Sequence, residues 1–116
     1  MKILFLDDDP NRGERFLREH GDVVWTKTAR STIDVLFDFD PFDVVYLDHD
    51  LGGEVYVDSG REDTGMEVVR WVEANRPAVG RFVVHSLNYP AAAQMVGRLR
   101  DAGYEAEYVP FTRLFA

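Results

Sequence analysis

Acids and histidines follow three short apolar runs. Asp7, Asp8 and Asp9 come after ILFL at 3–6; Asp48, His49 and Asp50 come after VVYL at 44–47; His85, Ser86, Leu87 and Asn88 come after FVV at 82–84. Carboxylates suit a hard divalent ion such as Mg²⁺ or Mn²⁺, which takes oxygen ligands and keeps some water. The candidate ligands are Asp8 and Asp48 with either Asp7 or Asp50. An imidazole from His49 or His85 would move the preference toward Mn²⁺, Fe²⁺ or Zn²⁺. Either histidine could also serve as general acid or base beside a metal-bound phosphate. Ser86 can donate to a phosphate oxygen, while Asn88 either orients a ligand or caps the helix that follows. Asp9 alone reads as a helix cap. Asp7 and Asp8 repel each other unless something positive sits among them.

Apolar runs of this length between polar turn signals read as strands buried on both faces. The first strand spans about 2–7, and Asp9-Pro10 opens a helix with Phe16 and Leu17 inward that ends at Gly21. A second strand covers 22–27. Thr28 caps a helix whose expected inner face is Ala29, Ile33, Leu36 and Phe37, and Pro41 stops it. The third strand runs to Leu47. The polar stretch 52–63, GGEVYVDSGRED, reads as a long loop, a kind of connection that tends to be functional. A helix with Met66, Val69 and Val72 inward follows, then a strand over 81–85. Pro90 opens a helix with Met95, Leu99 and Ala102 inward, and a last strand covers 105–109. Strands alternating with helices imply a parallel sheet, whose sites lie beyond the carboxyl ends of its strands. The acids and both imidazoles should therefore converge on one edge.

At 116 residues the chain is read as one domain, 1–116, with the loop 52–63 over the active edge. It has no cysteine, which excludes disulfides, zinc–thiolate sites and thiol chemistry. No signal peptide and no membrane-length run is seen, so the expectation is a cytoplasmic protein without membrane contact. A net charge of −8 argues against gripping extended duplex nucleic acid. A small phosphate ligand stays possible, because a bound cation can reverse the local sign. Positive side chains near the strand ends are few: Lys27, Arg61 and Arg113. Arg61, in the long loop, is the candidate clamp for an anion. Only five residues follow Phe111, too few for a further stable helix. Either Leu114 and Phe115 fold back over the sheet face left bare, or a second subunit covers it as a homodimer.

KILFLDDDP, FDVVYLD, Ser86 and the terminal Pro110-Phe111 together resemble a response-regulator receiver domain over nearly the whole chain. The resemblance implies a flavodoxin-like, receiver-like three-layer α/β sandwich with a five-stranded parallel sheet in order 2-1-3-4-5, here lacking its final helix. It also implies that Asp7 and Asp8 form an acidic metal pair, Asp48 a phosphoacceptor and Ser86 a phosphoryl contact. Val109 departs from the pattern, since receivers carry a lysine there. LDHDLGG, HSLN and the final Pro-Phe resemble a divergent branch found in phage and bacterial genomes, the cyclic-phosphate-processing receiver-like domains. Three readings follow. The first is a metal-dependent phosphoesterase acting on a cyclic or terminal phosphate of a nucleotide or RNA end, with His85 or His49 relaying the proton. The others are a signalling receiver phosphorylated on Asp48 and a non-catalytic interaction module.

Overall fold

In the computed structural model, which describes residues 1–51 and 57–115, strands and helices alternate as the punctuation predicts. The elements are β1 (Ile3–Leu6), α1 (Pro10–His20), β2 (Val23–Thr26), α2 (Ala29–Phe39), β3 (Phe42–Leu47), α3 (Gly65–Asn75), β4 (Val79–Val84), α4 (Tyr89–Asp101) and β5 (Ala106–Tyr108). A 3-10 turn, Phe111–Arg113, follows. The five strands form one parallel sheet in the order β2-β1-β3-β4-β5. This is the expected flavodoxin-like three-layer sandwich. No described helix is long and apolar enough to cross a membrane.

Short polar residues start the helices. Asp9 accepts from the backbone N–H of Asn11 at 2.8 Å and of Arg12 at 3.3 Å, with Pro10 as the first helical residue. Thr28 and Ser31 form a reciprocal capping box on α2. Asn88 Oδ1 accepts from Ala91 N on α4. Gly21 ends α1 at φ 75°, a conformation that costs glycine little.

Strand alternation divides the core between the two sheet faces. Leu4, Leu6, Val45, Leu47, Phe82 and Val84 meet α2, α3 and α4. Ile3, Phe5, Val44, Tyr46 and Val83 meet Phe16 of α1 and Phe111. On the second face Leu114 and Phe115 fold back against this cluster. The Phe115 ring lies 5.2 Å from Phe111 and 6.2 Å from Phe16, with the Arg15 guanidinium 4.2 Å above it.

Phe37 departs from expectation: it is 74 % exposed rather than inward. Thr32 takes an inward place on α2 instead, its hydroxyl 2.7 Å from that of Thr26. A hydroxyl satisfied across the β2–α2 contact can be buried without loss, a case that hydrophobic periodicity does not register. Ala102 is half-buried at the end of α4. Residues 52–56 of the long loop, including Gly52 and Gly53, lie outside the described residues, as does Ala116.

Gly65 lets α3 begin against the end of β3. Its N–H donates to His49 O at 3.0 Å, and an added Cβ would stand 1.8 Å from the carbonyl oxygen of Asp48. Gly97, on the outer face of α4, meets nothing within 4 Å. We predict that Gly65→Ala lowers the stability by about 3 kcal/mol or more, since backbone rather than a flexible side chain must move. Gly97→Ala should raise it by about 0.5–1 kcal/mol through helix propensity. Urea midpoints of the two variants test the contrast, and equal effects would contradict it.

Candidate functional site

β1, β3 and β4 end level. Leu6 pairs with Leu47, and Leu47 with Val84. One residue further, Asp48 N donates to Leu6 O at 3.1 Å and His85 N to Leu47 O at 3.0 Å. Asp7, Asp48 and His85 thus stand in a row on three neighbouring strands. Each lies two residues beyond Phe5, Tyr46 and Val83, so alternation turns all three toward α1. One ligand atom from each lies within 4.8 Å of the others, and all three residues are at most 2 % exposed.

The contacts assign roles. Asp7 Oδ1 accepts from Asp9 N at 2.9 Å, and Asp7 Oδ2 accepts from His85 Nε2 at 3.0 Å. A carboxylate only accepts, so the proton sits on Nε2 of His85. The His85 ring stacks on Phe5 at 4.8 Å, and its Nδ1 is buried without a hydrogen-bond partner. Asp48 Oδ1 accepts from His49 N at 2.8 Å, whereas Oδ2 is buried with no hydrogen bond. Burial pushes the Asp48 carboxyl up to about 6; Asp7 adds to this, while His85, Arg12 and the His49 N–H oppose it.

Arg12 was not among the residues singled out from the sequence, yet it supplies the positive charge. Its Nε lies 3.1 Å from Asp7 Oδ2 and 3.7 Å from Asp9 Oδ2, and its Nη2 lies 3.5 Å from Asp48 Oδ2. The guanidinium also stands 5.6 Å from the Phe111 ring centre. Arg12 precedes Phe16 by four residues, the spacing of a shared helix face, and that signal could have found it.

His49, Asp50, Ser86 and Asn88 belong to the same edge but form a separate network. His49 follows Asp48 by one residue, so its ring turns to the opposite face. His49 Nδ1 donates to Asp50 Oδ1 at 2.7 Å, and Nε2 accepts from Ser59 Oγ at 2.9 Å. Asp50 Oδ1 also accepts from Val57 N at 3.0 Å and Asn88 Nδ2 at 3.1 Å. Ser86 Oγ accepts from Asn88 N at 3.0 Å. Arg70 of α3 completes the clasp by donating to the carbonyl oxygens of Ser59 and Arg61 at 2.6 and 3.0 Å. Both ring nitrogens of His49 are committed to holding the loop, and Asn88 both caps α4 and ties it to Asp50.

The expected single convergence is therefore two clusters back to back, with one imidazole in each. Asp8 is half-buried beside Asp7 but outside the three-residue cluster. Arg61 makes a two-point ion pair with Asp63 in its own loop. Lys27 lies over the Trp25 ring at 4.7 Å, and Arg113 is exposed. By register it is His85, not Ser86, that stands level with Asp48. Val109 is half-buried against the α1-side core, its N–H donating to Val84 O at 2.9 Å.

Residues 2–101 match the family model described as the cyclic-phosphate processing receiver domain. No curated protein matches the chain. Among solved structures it is similar to the response regulator TrrA from Thermotoga maritima in complex with Mg²⁺-BeF, at 18 % identity and a TM-score of 0.65, covering 94 % of this chain and 84 % of that one. It is also similar to the BeF3-activated DrrB receiver domain, DrrB being a Thermotoga maritima protein, at 27 % identity and a TM-score of 0.56, covering 94 % and 82 %. The BeF3-activated receiver domain of Klebsiella pneumoniae RstA is 23 % identical, with a TM-score of 0.61 and coverage of 97 % and 86 %.

The raised Asp48 pKa has a definite sign for stability. Between about pH 4 and 6 the folded state holds the Asp48 proton more tightly than the unfolded chain, so this group's contribution falls as pH rises. Above pH 6 the full desolvation penalty applies. In EDTA, Asp48→Asn should therefore be more stable than wild type at pH 7–8, by on the order of 2–3 kcal/mol. The difference should vanish as pH falls below about 4. Thermal melts across pH test this; a variant less stable than wild type at pH 8 would contradict it.

Proposed function

We propose that this chain, which belongs to the family of cyclic-phosphate processing receiver domains, accepts a phosphoryl group on Asp48. The observation that carries this reading is the Asp48 carboxylate, buried at the sheet edge with one oxygen lacking a hydrogen bond. Oδ1 is held by the His49 N–H, which fixes the carboxylate plane and leaves Oδ2 as the attacking atom. Attack by Oδ2 on phosphorus forms an acyl phosphate on Asp48. The bond from phosphorus to the donor's leaving oxygen breaks, and its electron pair departs with that oxygen. A pKa of about 6 keeps the carboxyl ionised at neutral pH, as a nucleophile requires.

The donor set also fits a divalent cation. Asp7 and Asp48 bring ligand atoms within 4.8 Å of each other, with Asp8 beside them, and neither carboxylate has all its lone pairs taken by hydrogen bonds. Oxygen donors suit Mg²⁺ or Mn²⁺, and His85 Nε2, whose proton is given to Asp7, acts as an orienting partner. When bound, such an ion neutralises the charge on the phosphoryl oxygens. The similar structures carrying beryllofluoride, one of them with Mg²⁺, support the same reading.

A second reading rests on the Asp7–His85 pair. A buried histidine oriented by a carboxylate and lying beside Asp48 is also what a phosphoester hydrolase uses to move a proton. The phosphate ester would be a cyclic or terminal phosphate on a nucleotide or RNA end. The two readings separate in one pair of assays. With an acyl phosphate donor and Mg²⁺, we expect the intact protein to gain the mass of one phosphoryl group, and Asp48→Asn to abolish the gain. With a 2′,3′-cyclic nucleotide and Mn²⁺ or Mg²⁺, ring opening that His85→Ala removes would favour hydrolysis. No phosphoryl gain from any small donor would sink the first reading.

A further inference from the structure

We propose that Arg12 is a built-in counter-ion of the Asp7–Asp48 pair, one that a divalent cation displaces when it binds. The proposal rests on the cation-site reading above and adds the residue that tunes it. Two buried carboxylates on adjacent strands repel each other unless a positive group lies between them. Arg12 is that group, with Nε 3.1 Å from Asp7 and Nη2 3.5 Å from Asp48.

Its seat is nevertheless imperfect. Arg12 Nε is buried without a well-aligned hydrogen bond, and the ion pair with Asp48 leaves Oδ2 unpartnered. A guanidinium forms strong carboxylate pairs when its donors lie parallel to the two oxygens, and here one terminal nitrogen and Nε reach different residues. A compact dication would satisfy both carboxylates better. It would also repel the guanidinium at close range.

A second seat is at hand. The Asp9 carboxylate is already 3.7 Å from Arg12 Nε and 41 % exposed, and the Phe111 face lies 5.6 Å from the guanidinium. A side-chain rotation toward these groups frees the carboxylates without removing Arg12 from the edge. The displaced guanidinium stays where an anionic ligand would meet it. Cation binding thereby exposes the carboxylates' partner charge to the phosphoryl ligand, and the ligand should bind more tightly after the cation than before it.

The chain carries its own reporter. Trp25 Nε1 donates to Asp7 O at 2.9 Å, and its ring packs on Gly13, the neighbour of Arg12. In a Trp71→Phe background Trp25 is the sole tryptophan. Mn²⁺ and Mg²⁺ titrations of that protein, with and without Arg12→Gln, give the dissociation constants. We expect Arg12→Gln to bind the ion about tenfold more tightly or better, because no charge has to be displaced. Without metal it should melt lower than its parent, and saturating metal should raise its Tm more. If Arg12→Gln does not fold without metal, the Arg12 Nε–H resonance of the unsubstituted protein serves instead, and it should shift on adding Mg²⁺. Equal or weaker metal binding by the variant, or an unmoved Nε–H signal in a metal-saturated sample, overturns the exchange while leaving the cation site intact. Absence of metal binding by either protein overturns both.

Discussion

Two carboxylates buried side by side set the terms for this edge of the molecule. Asp7 and Asp48 follow paired residues of adjacent strands, so the same backbone hydrogen bonds that build the sheet press their charges together. Such a pair is stable only with positive or hydrogen-bonding partners, because desolvation penalises each ionised group. The surrounding chain supplies them from three directions. Asp9 N and His49 N donate from the turns, His85 Nε2 from the neighbouring strand, and the Arg12 guanidinium caps both from α1. Even so, Asp48 Oδ2 and His85 Nδ1 are left without hydrogen bonds. An edge that is nearly but not fully satisfied is suited to receive a ligand, since the ligand completes a network instead of competing with one.

The two faces of the sheet divide the labour. On the α1 side lie the groups with unmet bonding capacity. On the other side His49, Asp50, Ser59 and Asn88 bond mainly to one another and fasten the loop end at 57–60 to β3 and α4. The Ser59–His49–Asp50 chain has the shape of a nucleophilic relay. The nearby N–H groups of Gly60 and Arg61, however, already donate to Asp58. Among the described residues these two N–H groups are thus not left for a developing oxyanion, and the network acts as a latch. It touches the other cluster through the His49 N–H on Asp48 Oδ1, and through this contact the loop and the buried carboxylate hold each other in place.

The fold was legible in the sequence because its signals are local. Asp9-Pro10, Thr28, Asn88 with Pro90, and Gly21 each mark a helix boundary by their own chemistry, and the apolar runs between them are strands of the right length. The edge carrying the site was legible too, since an alternating α/β chain places it beyond the strand ends. Which side chains share a face was not. That depends on register between strands far apart in sequence, and a shift of one residue moves a side chain to the other layer. The pairing of Leu6 with Leu47 and of Leu47 with Val84 selects Asp7, Asp48 and His85 and separates them from His49 and Asp50. Arg12 lies in the first turn of α1, away from the strand ends and loops, and only its spacing from Phe16 marks it as inward.

The origin of the positive charge is where this chain departs most from the receivers it resembles. With Val109 at the end of β5, the cation comes from the third residue of α1. The N-terminus of a helix carries partial positive charge, so an arginine there is electrostatically disfavoured, and α1 has no acidic residue of its own in the first turn to relieve it. What offsets that cost is the set of carboxylates just outside the helix: Asp9 at the cap, Asp7 and Asp48 beyond it. The arginine and the acids are therefore mutually dependent. Remove the acids and the guanidinium loses its reason to face inward; remove the guanidinium and the carboxylates must find another cation. A lysine on the last strand would bind the same charges from a rigid sheet position. An arginine on a helix turn, with Asp9 and Phe111 as neighbouring perches, can leave and return, and this makes the charge of the site adjustable.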